Sequence, residues 1–129
     1  MFRSLKKKNN KQFGRKGEDI AAEYLTRSGY SILSRNFRGN GCEIDIVAAE
    51  GKETVVFVEV KSRADNEFGS PADSVNRAKQ KRIIRAARAF EAKYGLNDSY
   101  FRFDVIAITG TGGEEDELCH YKGAFTLPV

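Results

Sequence analysis

Between Glu43 and Ser62 lie two runs of β-forming residues, Glu43 to Ala49 and Thr54 to Ser62, separated by a polar turn around Glu50-Gly51-Lys52. The second contains Val55-Val56-Phe57-Val58, and together the runs read as an antiparallel hairpin. Side chains alternate between the two faces of a strand, so residue identity decides what each face carries. On the first strand, alternation groups Glu43, Asp45 and Val47 against Ile44 and Ile46. On the second it groups Phe57, Glu59 and Lys61 against Val56, Val58 and Val60. Pairing then brings Asp45 towards Glu59.

Two adjacent carboxylates repel, and burying either one unpaired is costly. A divalent cation resolves the conflict, because Mg²⁺ or Mn²⁺ takes hard oxygen ligands: one or two carboxylates, water and a substrate phosphate. Asp45 and Glu59 are therefore the candidate metal ligands, with the backbone carbonyl of Val60 as a further one. Lys61, on the face of Glu59, is the candidate catalytic lysine, placed to neutralise a phosphate or to orient and activate a water. The competing reading is a surface run of strand charges in which Lys61 only pairs with an acid.

The flanking pattern is helical. Ile20, Ala21, Tyr24 and Leu25 recur at helix spacing from Phe13 to Ser28, with Gly29 as a stop. Glu18 lies on or near that apolar stripe. It either satisfies the helix dipole or is a further catalytic acid aimed at the sheet, reaching a metal through water. Tyr30 to Arg38 reads as a strand ending at the turn Gly39-Asn40-Gly41. After a polar loop from Ala64 to Pro71, a helix from Asp73 to Tyr94 sets Ile83, Ala87, Phe90 and Tyr94 on one face. Gln80, in register with Ile84 and Ala87, either hydrogen-bonds the site or caps that edge. Strands at Tyr100 to Thr109 and Leu118 to Thr126 complete the order helix, three strands, helix, two strands. This order predicts an α/β domain with a mixed central sheet flanked by helices. The 129 residues suit one domain, 13–129, behind a basic arm, 1–12.

The net charge of +4 is modest, but it is unevenly placed. Arg3, Lys6, Lys7, Lys8, Lys11, Arg15 and Lys16 occur with no acid among them. Arg77, Lys79, Lys81, Arg82, Arg85, Arg88 and Lys93 are opposed within their stretch only by Glu91. Two such concentrations favour a polyanion, DNA or RNA, although a solvated helix face and a tail account for charge alone equally well. Arg15, Lys16, Arg63, Lys79, Gln80, Lys81 and Arg82 are the candidate nucleic-acid contacts. No apolar run approaches the ~20 residues of a membrane span, and the basic N-terminus lacks a secretory apolar stretch. The expected location is the cytoplasm, with no membrane partner. Cys42 and Cys119, accompanied only by His120, read as free thiols rather than a zinc site.

At Asp45 and Glu59-Val60-Lys61 the sequence resembles the PD-(D/E)XK nuclease superfamily, whose signature is an acid on one strand and acid-x-lysine on the next. More closely it resembles the YraN-like family, related in fold to archaeal Holliday junction resolvases. The matching motifs are Gly14-Arg15-Lys16-Gly17-Glu18, Glu43-Ile44-Asp45-Ile46-Val47 and Phe57-Val58-Glu59-Val60-Lys61-Ser62-Arg63. Ile44 replaces the proline of the superfamily's name, and Cys42 stands where the pattern more often has glycine. The resemblance implies a restriction-endonuclease-like core and a metal held by Asp45 and Glu59. It also implies catalysis by Lys61, with Glu18 as the acid of the first helix. The implied activity is a metal-dependent endonuclease acting on DNA in preference to RNA, with branched or structured DNA as the candidate substrate and a homodimer matching the need to cut two strands. The alternative is a non-catalytic nucleic-acid-binding module that keeps the fold.

Overall fold

The computed structural model describes residues 10–63, 75–110 and 116–126, with side chains in 17–62, 75–110 and 116–126. Helix α1 (Asn10–Arg27) leads into β1 (Ser31–Gly39), β2 (Cys42–Glu50) and β3 (Thr54–Arg63). Then follow α2 (Arg77–Tyr94), β4 (Tyr100–Thr109) and β5 (Glu117–Phe125). The strands form one sheet in the order β1-β2-β3-β4-β5. All neighbours are antiparallel except β3 and β4, which run parallel. The helices cover opposite faces, so the fold is α/β with a mixed sheet flanked by helices, consistent with a restriction-endonuclease-like core.

Two apolar clusters result. On the α1 face Ala21, Leu25 and Tyr30 pack with Ile46, Ala48, Val56, Val58, Ile106 and Ile108. On the other face Ile83, Ile84, Ala86, Ala87 and Phe90 of α2 pack with Val47, Val55, Phe57, Phe103 and Val105. Even-numbered residues of β3 thus face α1 and odd-numbered ones face α2, as alternation requires. Truncating a fully buried side chain such as Leu25 costs about 2–5 kcal/mol. The helix α1 ends in a Schellman motif: Tyr30 N–H donates to Leu25 O at 2.9 Å and Gly29 N–H to Thr26 O at 3.1 Å, with Gly29 at φ 94°. Gly17 serves another purpose, since a Cβ there would collide with Ser62 Oγ on β3. Its bare Cα lets α1 lie directly on the sheet.

Two boundaries and one core assignment differ from the sequence reading. The helix α1 begins at Asn10, so the last residues assigned to the arm are helical, and residues 1–9 lie outside the described chain. The helix α2 begins after Asn76, whose side chain accepts from Lys79 N–H at 2.9 Å. That cap sets the start later than Asp73, and the expected loop from Ala64 to Pro71 lies outside the described residues. Tyr94 is 53% exposed rather than core, although its ring stays in contact with Phe90. No described helix is long and apolar enough to cross a membrane.

A further departure matters more. Alternation groups Ile44 with Ile46, yet Ile46 packs under α1 and Ile44 packs under α2. On β1, Arg35 reaches Asp19 of α1 while Phe37 packs under α2. Both strands change face at one place. Between the pairs Arg35↔Ile46 and Phe37↔Ile44, Asn36 adopts a left-handed φ of 54° opposite Asp45. Asparagine tolerates that conformation better than most side chains do. The β2–β3 ladder ends just there, at Ile46↔Val58.

On the α1 face, away from this kink, β4 carries a wholly buried acid. Arg102 Nε and Nη2 donate to both oxygens of Asp104 at 2.8 Å, and Gly123 N–H donates at 3.0 Å. His120 Nε2 lies 2.7 Å from Asp104 Oδ2, and its Nδ1 lies 2.9 Å from Tyr24 Oη on α1. Arg102 also reaches Tyr30 Oη and Glu50. Burial pushes the Asp104 carboxyl up, but bonds from His120, Arg102 and Gly123 outweigh it and hold the group below the usual range. The network ties α1 to β4 and β5. Asp104→Ala is expected to destabilise the domain by about 3–5 kcal/mol in urea unfolding, because it leaves buried partners unpaired. A carboxyl whose folded pKa is depressed contributes stability above its unfolded pKa and loses it as pH falls through the folded value. The gap between wild type and Asp104→Asn should therefore be constant at neutral pH and narrow below about pH 4.

Candidate functional site

The site forms where β2 peels away from β3. Beyond Val58, β3 keeps its parallel partner β4 through Arg63↔Thr109, but its other edge loses the ladder to β2. Asp45 Oδ2 takes over one vacated position, accepting from Val60 N–H at 2.8 Å. The N–H and C=O of one strand residue point to the same side, so the Val60 carbonyl faces the same opening. Glu59, 5% exposed and on the α2 face with Phe57, lies within hydrogen-bonding reach of Asp45. The two acids do meet from neighbouring strands.

Burial and the Glu59 charge push the Asp45 carboxyl up to about 8, against the Val60 hydrogen bond, with a smaller push from Glu18. The pair therefore holds a proton through much of the ordinary pH range. Two lysines face it. Lys79 Nζ on α2 lies 2.7 Å from Glu59 Oε2, and Lys61 Nζ lies 3.4 Å from the same oxygen. Burial lowers Lys61, helped by the neighbouring Lys79 ammonium and opposed by Glu59. Burial works against the Lys79 charge too, but its bond to Glu59 prevails and the group is raised. One lysine is thus tied to the acid while the other is left easier to deprotonate.

Glu18 stands at the rim. In the amide orientation that its neighbours require, Asn36 donates to Glu18 Oε1 at 3.0 Å and to Glu43 Oε2 at 3.2 Å. Burial raises the Glu18 carboxyl, Glu43 and Asp19 add to that, and Arg35 and Asn36 oppose it. Among the described residues no three His, Cys, Asp or Glu side chains are set to enclose an ion. The donor set that would suit a hard cation is two carboxylates and a carbonyl, with Glu18 near enough to act on Asp45 electrostatically.

The candidate nucleic-acid contacts separate. Lys81 and Arg82 are exposed on α2. Lys79 is turned to Glu59, and Gln80 Nε2 donates to Val75 O at 2.9 Å, bracing the entry to the helix. The side chains of Arg15, Lys16 and Arg63 lie outside those described. Sequence reasoning missed Asn36 and the inward turn of Lys79. The signal for Lys79 was available: it precedes Ile83 by four residues and so shares its buried face.

In metal-free buffer Asp45→Asn keeps the acceptor for Val60 and is expected to stabilise the domain by about 1–3 kcal/mol. The sign follows from the raised pKa: between 3.8 and about 8 the folded state holds a proton that the unfolded state has released. Wild-type stability therefore falls as pH rises through that window, and the advantage of the asparagine grows with it. An advantage independent of pH, read from thermal unfolding, would rule out a strained carboxylate pair.

Residues 17–108 match the model of the uncharacterised protein family UPF0102. A UPF0102 protein of Geobacter metallireducens is 48% identical over 119 residues, covering 92% of this chain and 96% of the relative. One from Clostridium perfringens is 48% identical over 122 residues, covering 94% and 99%. Another, from Pelobacter propionicus, is 44% identical over 125 residues, covering 96% and 89%. The chain therefore belongs to the UPF0102 family, the YraN-like group of PD-(D/E)XK-like proteins.

Proposed function

We propose that the protein is a divalent-metal-dependent endonuclease that hydrolyses phosphodiester bonds in branched or structured DNA in the cytoplasm. The observation that carries this reading is the pairing of the buried Glu59 with the half-buried Asp45, faced by Lys61 at an opening between strands. A buried pair of this kind is a poor structural element, and it suits Mg²⁺ or Mn²⁺ held by both carboxylates and the Val60 carbonyl. Bound there, such an ion supplies Lewis acidity and an acidified water.

The chain's own groups account for the remaining work. Lys61 Nζ, close to Glu59, orients the attacking water and offsets charge developing on the phosphate oxygens. Lys79 holds the Glu59 carboxylate and must yield part of that hold when a cation binds. Glu18 fixes an outer water through its rim position beside Asn36. Lys81, Arg82, Arg85 and Arg88 form an exposed basic face of α2 with no ion-pair partner among the described residues. That face suits the DNA backbone, giving sequence-independent affinity that weakens with salt.

Lys79 also supports a second reading, a non-catalytic DNA-binding module, because its ammonium neutralises Glu59 without a metal. Cleavage of labelled junction, flap, nicked and duplex DNA with Mn²⁺ or Mg²⁺ separates the two. Asp45→Ala and Lys61→Ala should each lower the rate by about 10²–10³-fold or more while leaving binding intact. Wild type that binds every substrate and cuts none would favour the module. Neutralising Lys81 and Arg82 should weaken binding to all sequences alike and reduce the salt slope by about one per lost contact, read by titration at several ionic strengths.

A further inference from the structure

The α2 face of the sheet holds a cavity that the carboxylate site does not use. Phe57, Phe101 and Phe103 form its floor, Ile84 and Ala87 its wall, and Arg88 and Glu91 its mouth. Its volume is about 140 Å³. Two floor rings stack, Phe57 and Phe103 at 5.4 Å and 26°, and Phe103 stacks in turn on Phe125, outside the cavity, at 4.9 Å and 19°. Phe101 tilts 33° from Phe57 at 5.8 Å. Phe57, Phe103, Ile84 and Ala87 are buried, whereas Arg88 is exposed, so the cavity opens at its charged end.

We infer that this cavity receives one unpaired pyrimidine base of a DNA strand bound along α2. An apolar cavity of about 150 Å³ takes a single benzene-sized ring, which matches a pyrimidine and leaves little room for a purine. A flat ring can pack against the lining phenylalanines, of which Phe101 is the one partly exposed, and base-on-aromatic contact is a strong and sequence-tolerant source of affinity. The mouth offers a donor in Arg88 and an acceptor in Glu91, which suit the polar edge of cytosine. Arg88 also continues the exposed basic face that passes Lys81 and Arg85. Phe57 and Glu59 share a face of β3 and stand two residues, or about 7 Å, apart. A base in the cavity therefore belongs to a nucleotide neighbouring the one whose phosphate reaches the carboxylates. The inference rests on the nucleic-acid reading above and adds a substrate class to it. Extruding a base is cheapest where it is already unpaired, so bulges and branch points are the favoured targets.

The test is equilibrium binding of the full chain, without metal, to otherwise identical duplexes that are fully paired or carry one bulged cytosine or one bulged adenine. The bulged cytosine should bind about tenfold tighter than the paired duplex, and the bulged adenine should gain little. Ala87→Leu fills the cavity with a good helix former, and Phe101→Leu removes a stacking face from a half-buried position. Each should abolish the cytosine preference and leave paired-duplex affinity unchanged, with thermal unfolding confirming that both variants are folded. Equal binding of the three duplexes by wild type, or a preference that survives in both variants, overturns the cavity assignment alone. Failure to bind any of them overturns the nucleic-acid reading as well.

Discussion

The left-handed turn of the backbone at Asn36 is the constraint on which the site depends. It swaps the faces of β1 and β2 between Ile46 and Ile44, and it ends the ladder between β2 and β3 at the same level. Without it, Asp45 would continue the regular hairpin and Val60 would meet a backbone partner rather than a carboxylate. Departures from regular pairing are common beside functional sites because they re-aim a side chain without altering the scaffold. Here the two helices fix the scaffold on either side, so the irregularity stays local.

The fold buries one aspartate wholly, Asp104, and another in part, Asp45, and treats them oppositely. Asp104 has hydrogen-bond donors from Arg102, His120 and Gly123, and its carboxyl is held as the anion. Asp45 receives the Val60 N–H and is otherwise set against Glu59, so its anion is disfavoured. The opposite electrostatic outcomes separate a group that holds the structure together from one whose charge the fold leaves unsatisfied. The distinction lies in the donors around each acid, since the more deeply buried of the two is the one that stays ionised.

Much of this was legible in the sequence. Helix spacing gave α1 and α2, and β-former runs gave all five strands in order, because burial on one face imposes a period that survives in residue identity. Alternation on β3 correctly grouped Phe57, Glu59 and Lys61, since that strand is regular. It failed on β2, where Ile44 and Ile46 part, because a single left-handed residue on the neighbouring strand breaks a rule that assumes extended backbone throughout. Asp104 and Arg102 stood two apart in an otherwise apolar strand, a signal of a buried pair. Their partners His120 and Tyr24, however, come from distant elements that no local pattern connects. The inward turn of Lys79 was signalled by its spacing from Ile83, but its partner Glu59 depends on how α2 sits above β3.

The peeling of β2 from β3 has a consequence for association as well as chemistry. Exposed strand edges in most proteins are confined to the two rims of a sheet, but here, among the described residues, the end of the central strand β3 also has no ladder partner on one side. Such a backbone edge is a template for an incoming strand from another chain. The Asp45 side chain occupies part of that edge, and an acid with a second acid beside it is an unwelcoming neighbour for any apolar strand. The same carboxylates thus guard the gap they stand in: Asp45→Asn would keep the Val60 N–H occupied but remove the charge that discourages an incoming strand.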